Sequence, residues 1–215
     1  MIRVFVADDH PVVREGLKQI LSRMENVVVV GEATTGQEVI DRVLQARPDI
    51  LILDLNMPGR DGFEVLRVLR RSHPDLRILV LSVYPEGQVG LRVLALGANG
   101  FINKESIPQQ LEDALRTLAA GRDYVPADVT TEMLERFRRE GSEALHASLS
   151  VREFQVLLLL ASGLSVKEIA DRFALSVKTV RTFRTRILKK LNLKNDVELT
   201  HYALKHRLIA SPPAN

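Results

Sequence analysis

Two hydrophobic periods alternate along residues 1–121 of this chain. Short β-branched runs stand at Ile2–Ala7, Val27–Gly31, Asp49–Asp54, Leu76–Ser82 and Gly100–Asn103. Between them apolar residues recur at helical intervals. Val13, Leu17, Ile20, Leu21 and Met24 make one stripe, and Leu111, Ala114, Leu115 and Leu118 make the last. Strand side chains alternate between two faces, whereas helical side chains return to one face about every 3.6 residues, so the two patterns exclude each other locally. Repeated strand–helix alternation predicts an α/β fold, a five-stranded doubly wound parallel sheet with helices on both faces. Thr35-Gly36-Gln37-Glu38 reads as a capping box that starts the second helix. Gly97-Ala98-Asn99-Gly100 reads as the turn into the fifth strand.

Beyond residue 121 the pattern changes. Asp128–Arg139 is weakly amphipathic and Glu140-Gly141-Ser142 follows, which predicts a linker helix and a flexible joint. The last block is all-helical. Ser150-Val151-Arg152-Glu153 and Ser165-Val166-Lys167-Glu168 are capping boxes, and Ser176 is an N-cap. The connections Ser162-Gly163-Leu164 and Ala174-Leu175 are short, as in a helix-turn-helix. A fourth helix follows Asn195, through Val197, Leu199, Leu204 and Leu208, and the tail from Ser211 reads as disordered. The expected division is a first domain over 1–121, a linker over 122–147 and a helical domain over 148–210.

At 215 residues there is room for one or two domains with real cores. There is no cysteine, which excludes a disulfide scaffold, a thiolate metal site, an iron–sulfur cluster and a cysteine nucleophile. No apolar run approaches the roughly 18 residues of a membrane span. Asp8 and Asp9 fall where a signal peptide would continue its apolar stretch, so the expected location is the cytoplasm. The net charge is +3, but it is unevenly spread: −2 over residues 1–121, −2 over 122–146 and +7 over 147–215. A basic third behind an acidic body fits a nucleic-acid-binding module, although a solvated basic face fits the charge alone about as well.

In an open parallel sheet, ligands bind beyond the carboxyl ends of the strands. The first strand ends at Asp8-Asp9, the third at Asp54, the fourth at Ser82 and the fifth at Lys104. Crowded carboxylates raise one another's pKa unless a cation neutralises them. An oxygen-only ligand set suits a hard ion such as Mg²⁺, and a lysine and a hydroxyl beside it suit a phosphoryl group. Single acids at strand ends are commonly helix caps, but that reading accounts poorly for this whole set.

These residues, with Asp54-Leu-Asn-Met-Pro-Gly-Arg-Asp-Gly62 and Gly97-Ala-Asn-Gly-Phe-Ile-Asn-Lys104, make residues 1–121 resemble the receiver domain of a two-component response regulator. The resemblance implies that Asp54 accepts a phosphoryl group from a sensor histidine kinase. It implies that Asp9 and Asp54 hold Mg²⁺ with the backbone carbonyl of Asn56, and that Asp8 acts through water. Lys104 would pair with the phosphoryl group, and Ser82 and Phe101 would be the switch residues, the hydroxyl moving toward the phosphoryl group and the ring turning inward behind it. Asn56 and Tyr84 lie where such domains tune phosphoryl lifetime. Two positions depart from the common pattern: Glu105 follows Lys104 in place of Pro, and Val83 stands in place of Ala.

The run Ser176–Leu193 sets Val177, Val180, Ile187, Leu188 and Leu191 near one side of a helix. Lys178, Arg181, Thr182, Thr185 and Lys189 fall largely on the other, flanked by Arg184, Arg186 and Lys190, and no acid lies between Asp171 and Asp196. A helix with one apolar face and cations over the rest suits the major groove. Leu149-Ser-Val-Arg-Glu-Phe-Gln-Val-Leu157, Ala161-Ser-Gly-Leu-Ser-Val-Lys-Glu-Ile-Ala170, Leu175-Ser-Val-Lys-Thr-Val180 and Ile187-Leu-Lys-Lys-Leu-Asn-Leu193 resemble a LuxR-type helix-turn-helix domain. The pair of resemblances is that of the NarL/FixJ class of response regulators, which implies a transcription regulator rather than an enzyme. By position, Arg181, Thr182 and Thr185 would approach bases. Lys178, Thr179, Arg184, Arg186, Lys189 and Lys190 would touch phosphates. Phe183, where relatives often carry His or Tyr, would pack. The implied partners are promoter repeats, a sensor histidine kinase, a second copy of the chain once phosphorylated, and RNA polymerase, with no membrane. The last helix would join the DNA-binding domains.

Three other readings compete. A Mg²⁺-dependent phosphohydrolase using Asp54 as nucleophile would want a second Asp two residues on, where Asn56 stands. A nucleotide-binding α/β protein would want GxxxxGK[ST] or GxGxxG, and both are missing. A regulator acting through protein contacts alone would show no salt-dependent DNA binding. His10, His73, His146, His201 and His206 read as ordinary surface or helix-end residues, although receiver domains often carry a His after the acid pair, so the resemblance implies that His10 lines the acidic site.

Overall fold

The computed structural model describes residues 1–58, 60, 62–82, 87–125, 145–173, 175–206 and 208–209. The linker stretch Asp128–Arg139, the joint Glu140-Gly141-Ser142, Val83, Tyr84, Ala174, Arg207 and the tail from Ser211 lie outside the described residues. The chain divides into two compact units, Met1–Gly141 and Ser142–Asn215.

In the first unit the elements run β1 (Ile2–Ala7), α1 (Pro11–Ser22), β2 (Val27–Ala33), α2 (Gly36–Ala46), β3 (Ile50–Asp54), α3 (Gly62–Ser72), β4 (Arg77–Ser82), α4 (Gly87–Ala95), β5 (Gly100–Asn103) and α5 (Ile107–Ala119). All sheet pairings are parallel, in the order β2-β1-β3-β4-β5. The order reverses between β1 and β3, which opens a crevice at their carboxyl ends. Strand alternation builds two cores. Val4, Val6, Ile50, Ile52, Leu79, Leu81 and Ile102 pack on Leu17 and Leu21 of α1 and Leu111, Ala114, Leu115 and Leu118 of α5. The intervening Phe5, Leu51, Leu53, Ile78, Val80 and Phe101 are buried as well. A central strand such as β3, buried at every residue, therefore reads as a continuous apolar run. Each such Leu or Ile contributes about 1.5–3 kcal/mol on burial.

One cap differs from the sequence reading. Thr35 accepts Glu38 N–H, but the Glu38 carboxylate reaches back to Thr34 N and Oγ1 (2.8 and 3.1 Å). The main reciprocal hydrogen bond to Glu38 thus comes from one residue earlier than the capping box requires.

In the second unit, a short turn at Leu145–Ser148 precedes α6 (Val151–Ala161), α7 (Val166–Arg172), α8 (Val177–Leu191) and α9 (Asp196–Lys205). Ser150–Glu153 and Ser165–Glu168 close full capping boxes, Ser176 caps α8 and Asn195 caps α9. Gly163, at φ 90°, makes the turn after α6 in a conformation L side chains rarely adopt. Phe154, Val156, Leu157, Ile169, Val180, Ile187, Leu191, Leu199 and Ala203 form the core. Two apolar residues at helix starts stay outside the core: Val177 is 36% exposed and Val197 67%. Leu208 is buried, but beyond the end of α9. His146 is no surface residue. It is buried, with Nδ1 3.0 Å from the Tyr202 hydroxyl and its ring edge-on to Tyr202 and His206. Among the described residues, no helix is long and apolar enough to cross a membrane.

Candidate functional site

The parallel register brings four strand ends to one crevice. Asp8 and Asp9 follow β1, Asp54 closes β3 opposite Leu81, and Ser82 closes β4 opposite Asn103. Asn103 Oδ1 accepts the Glu105 N–H and starts a short turn that aims Lys104 back over the sheet. Gly62 is required by close approach, since a Cβ there would sit 2.6 Å from Leu55 Cα. This explains the glycine that closes the Asp54–Gly62 motif.

Asp8 and Asp54 are fully buried and share one ammonium: Lys104 Nζ lies 2.7 Å from Asp8 Oδ2 and 2.9 Å from Asp54 Oδ2. Beyond that ammonium these two buried oxygens have no hydrogen-bond partner among the described residues, and Asp9 Oδ1 has none beyond the His10 Nδ1 2.7 Å away. Asp54 Oδ1 accepts the Asn56 N–H at 3.2 Å. Burial pushes the Asp54 carboxyl above its usual range; Lys104 opposes the shift and Asp8 reinforces it. Burial pulls the Lys104 ammonium down, but Asp54 and Asp8 outweigh it and hold the ammonium above its usual range. Two buried carboxylates and a half-open third against one lysine leave excess negative charge. One ligand atom from each of Asp8, Asp9, His10 and Asp54 lies within 4.8 Å of the others, a spacing that could hold a metal ion. Oxygen donors with unsatisfied lone pairs fit a hard, hydrated divalent cation.

Ser82 and Phe101 are both fully buried. The Phe101 ring lies against the bare Cα of Gly90, where a Cβ would sit 3.6 Å from it. Sequence reasoning missed Arg14, whose Nη1 donates to the Asp8 carbonyl (2.9 Å) while Nε pairs with Glu32 (3.1 Å). Its position on the polar side of α1 was the available signal.

On α8, Lys178, Arg181, Thr182, Thr185, Arg186 and Lys189 are exposed, and Thr179 is half-buried against Ser176. Thr182 and Thr185 donate their hydroxyls to the Lys178 and Arg181 carbonyls (3.0 Å each), leaving oxygen lone pairs and methyls outward. Two cations are engaged within the domain. Arg184 Nε contacts both Asp196 oxygens (2.8 and 3.0 Å), and Lys190 Nζ lies 2.6 Å from Glu153. Phe183 is half-buried, as expected for a packing residue.

A doubly wound sheet with this acidic crevice, followed by a helix-turn-helix unit, defines a class of signalling protein. The family description "Response regulator receiver domain" matches residues 4–116, and "Bacterial regulatory proteins, luxR family" matches residues 147–203. The chain belongs to the two-component response regulators of the NarL/FixJ class, DNA-binding transcription regulators with a receiver domain and a LuxR-type helix-turn-helix. It is 38% identical to response regulator UvrY of Escherichia coli K12, over 97% of this chain and 96% of that protein. It is 40% identical to the oxygen regulatory protein NreC of Staphylococcus epidermidis, over 97% and 99%. Among solved structures it is similar to the RcsB response regulator of Salmonella typhimurium, with TM-score 0.60, 33% identity, and 95% and 100% of the two chains covered.

Proposed function

We propose that Asp54 is the phosphoacceptor and that its phosphorylation by a sensor histidine kinase turns on DNA binding by a dimer in the cytoplasm. The observation that carries this reading is the contact of Lys104 Nζ with both buried carboxylates. An Asp54 oxygen attacks the phosphorus of a phosphohistidine, the N–P bond breaks, and an acyl phosphate forms on Asp54. Mg²⁺, held by Asp9, Asp54 and the Asn56 carbonyl with Asp8 acting through water, would supply charge neutralisation for the incoming phosphoryl oxygens. Lys104 then moves from pairing two carboxylates to pairing the phosphoryl group. Ser82 donates to that group and Phe101 packs behind it, which biases the domain between two packings. With Asn56 where a phosphohydrolase would need an acid, the phosphoryl group is a signal rather than a turnover intermediate.

In the second unit, Arg181, Thr182 and Thr185 face bases. Lys178, Thr179, Arg186 and Lys189 contact phosphates, with Arg184 and Lys190 serving first as internal pairs. RcsB has been solved in complex with DNA, and with promoter rprA in the presence of phosphomimetic BeF₃⁻, which supports the same coupling here. Dimers of RcsB on DNA support a symmetric pair of half-sites. Treatment with a small phosphodonor and Mg²⁺, followed by intact-mass measurement, tests the chemistry. The wild-type chain gains one phosphoryl group and Asp54→Ala gains none; equal labelling of both would overturn it.

A further inference from the structure

We infer that His10 is a ligand at the acidic site and that it tilts the site's cation preference from Mg²⁺ toward borderline transition ions such as Co²⁺ and Ni²⁺. The inference rests on the proposed reading that this crevice takes a divalent cation. His10 sits at the N-terminus of α1 in extended backbone, and its side chain makes no capping hydrogen bond to the helix. Its backbone N–H instead donates to Asp8 Oδ1 at 2.8 Å, which fixes the residue over the crevice. Its Nδ1 lies 2.7 Å from Asp9 Oδ1 and 3.4 Å from Asp8 Oδ1. Among the described residues, Asp9 Oδ1 has no polar partner besides His10 Nδ1, and Asp8 Oδ2 and Asp54 Oδ2 have none besides the Lys104 ammonium they share. The His10 nitrogen and the three carboxylates supply ligand atoms within 4.8 Å of one another. Adjacent ligands of a single octahedral ion at about 2.1 Å stand about 3 Å apart, so the Nδ1–Asp9 separation suits neighbouring positions on one ion. The His10 ring is 63% exposed, whereas Asp8 and Asp54 are fully buried.

The donor type sets the preference. Mg²⁺ favours carboxylate, carbonyl and water oxygens, whereas an imidazole nitrogen adds affinity chiefly for later first-row ions. An all-oxygen receiver site gains little selectivity of this kind; one that adds His10 Nδ1 gains it from a single residue. The rival role for His10 is to orient Asp9 by donating Nδ1–H, which would help every cation alike.

Calorimetric titration of the full-length wild-type, His10→Ala and His10→Gln chains with Mg²⁺, Co²⁺ and Ni²⁺ separates these roles. The glutamine side chain retains a donor for Asp9 but lacks an imidazole. The expected result is that both substitutions weaken Co²⁺ and Ni²⁺ by roughly tenfold or more, a loss of the size seen for removing metal-site partners, with Mg²⁺ affinity unchanged within about twofold. Retained Mg²⁺ binding also shows that the variants are folded. Equal weakening for all three ions, or no change for any, overturns the inference. If the wild-type chain binds none of the ions, the reading of the crevice as a cation site fails instead.

Discussion

Lys190 Nζ on α8 lies 2.6 Å from Glu153 Oε2 on α6, and that carboxylate is almost wholly buried. Glu153 also accepts the Ser150 N–H at 2.8 Å, so one carboxylate caps α6 and receives a lysine from α8. Removing the ammonium takes a charged partner from a buried carboxylate. Lys190→Ala should therefore destabilise the helical unit by about 2 kcal/mol in denaturant unfolding, whereas exposed Lys189→Ala should stay within about 0.5 kcal/mol. A Lys190 that served DNA alone would leave the unfolding midpoint in place.

On the proposed reading of a DNA-bound dimer, keeping Arg184 and Lys190 in their internal pairs lowers the number of phosphates the dimer neutralises. Lys178, Arg186 and Lys189 from each protomer give about six contacts, hence a slope of log affinity against log salt of about −5; adding Arg184 and Lys190 would make it about −9. Fluorescence anisotropy on a selected site across a salt series measures the slope. Lys189→Ala should reduce its magnitude by about 2, one unit per protomer.

These two pairs mark where the sequence stopped being legible. The parallel sheet and the convergence of Asp8, Asp54, Ser82 and Lys104 follow from periodicity and from where each strand ends, because parallel pairing carries every strand end to one edge; the order of the strands does not follow from periodicity. The Ser150, Ser165 and Ser176 caps are local and were equally legible. A partner 12 or 37 residues away is not, so Arg184–Asp196 and Lys190–Glu153 looked like free basic residues. His146 looked like a surface residue because its burial is made by Tyr202 and His206, far along the chain. Val197, on the first turn of α9, is 67% exposed, which its apolar character alone does not predict.

Asp54 without a cation is a costly group. Its folded pKa is raised, so the stability tied to its neutral form is present below the ordinary carboxyl pKa and is lost as pH rises through the raised value. Asp54→Asn removes that charge and leaves Lys104 with Asp8 alone. In EDTA at neutral pH, this variant should unfold with about 1 kcal/mol more stability than the wild type. Added Mg²⁺ should stabilise the wild type far more than the variant, closing the gap in thermal melts.

Arg47 ends α2 in left-handed backbone, at φ 44° and ψ 57°. Arg3 holds this helix end by donating to the Arg47 and Ala46 carbonyls (3.0 and 2.7 Å), bonds that do not need the Arg47 side chain. Arg47→Gly should stabilise the first unit by about 0.5–1 kcal/mol, the steric relief exceeding the added freedom of the unfolded chain. Urea unfolding of the two chains side by side measures it.

The most direct test of the account is DNA affinity of the full-length chain with and without a small phosphodonor, for wild type and Asp54→Ala, at fixed Mg²⁺ and salt. The account predicts that the phosphodonor tightens wild-type binding by at least about fivefold and converts the bound species to a dimer, with no change for Asp54→Ala. Equal tightening in both proteins, or none in the wild type once it is phosphorylated, would contradict control of DNA binding through Asp54.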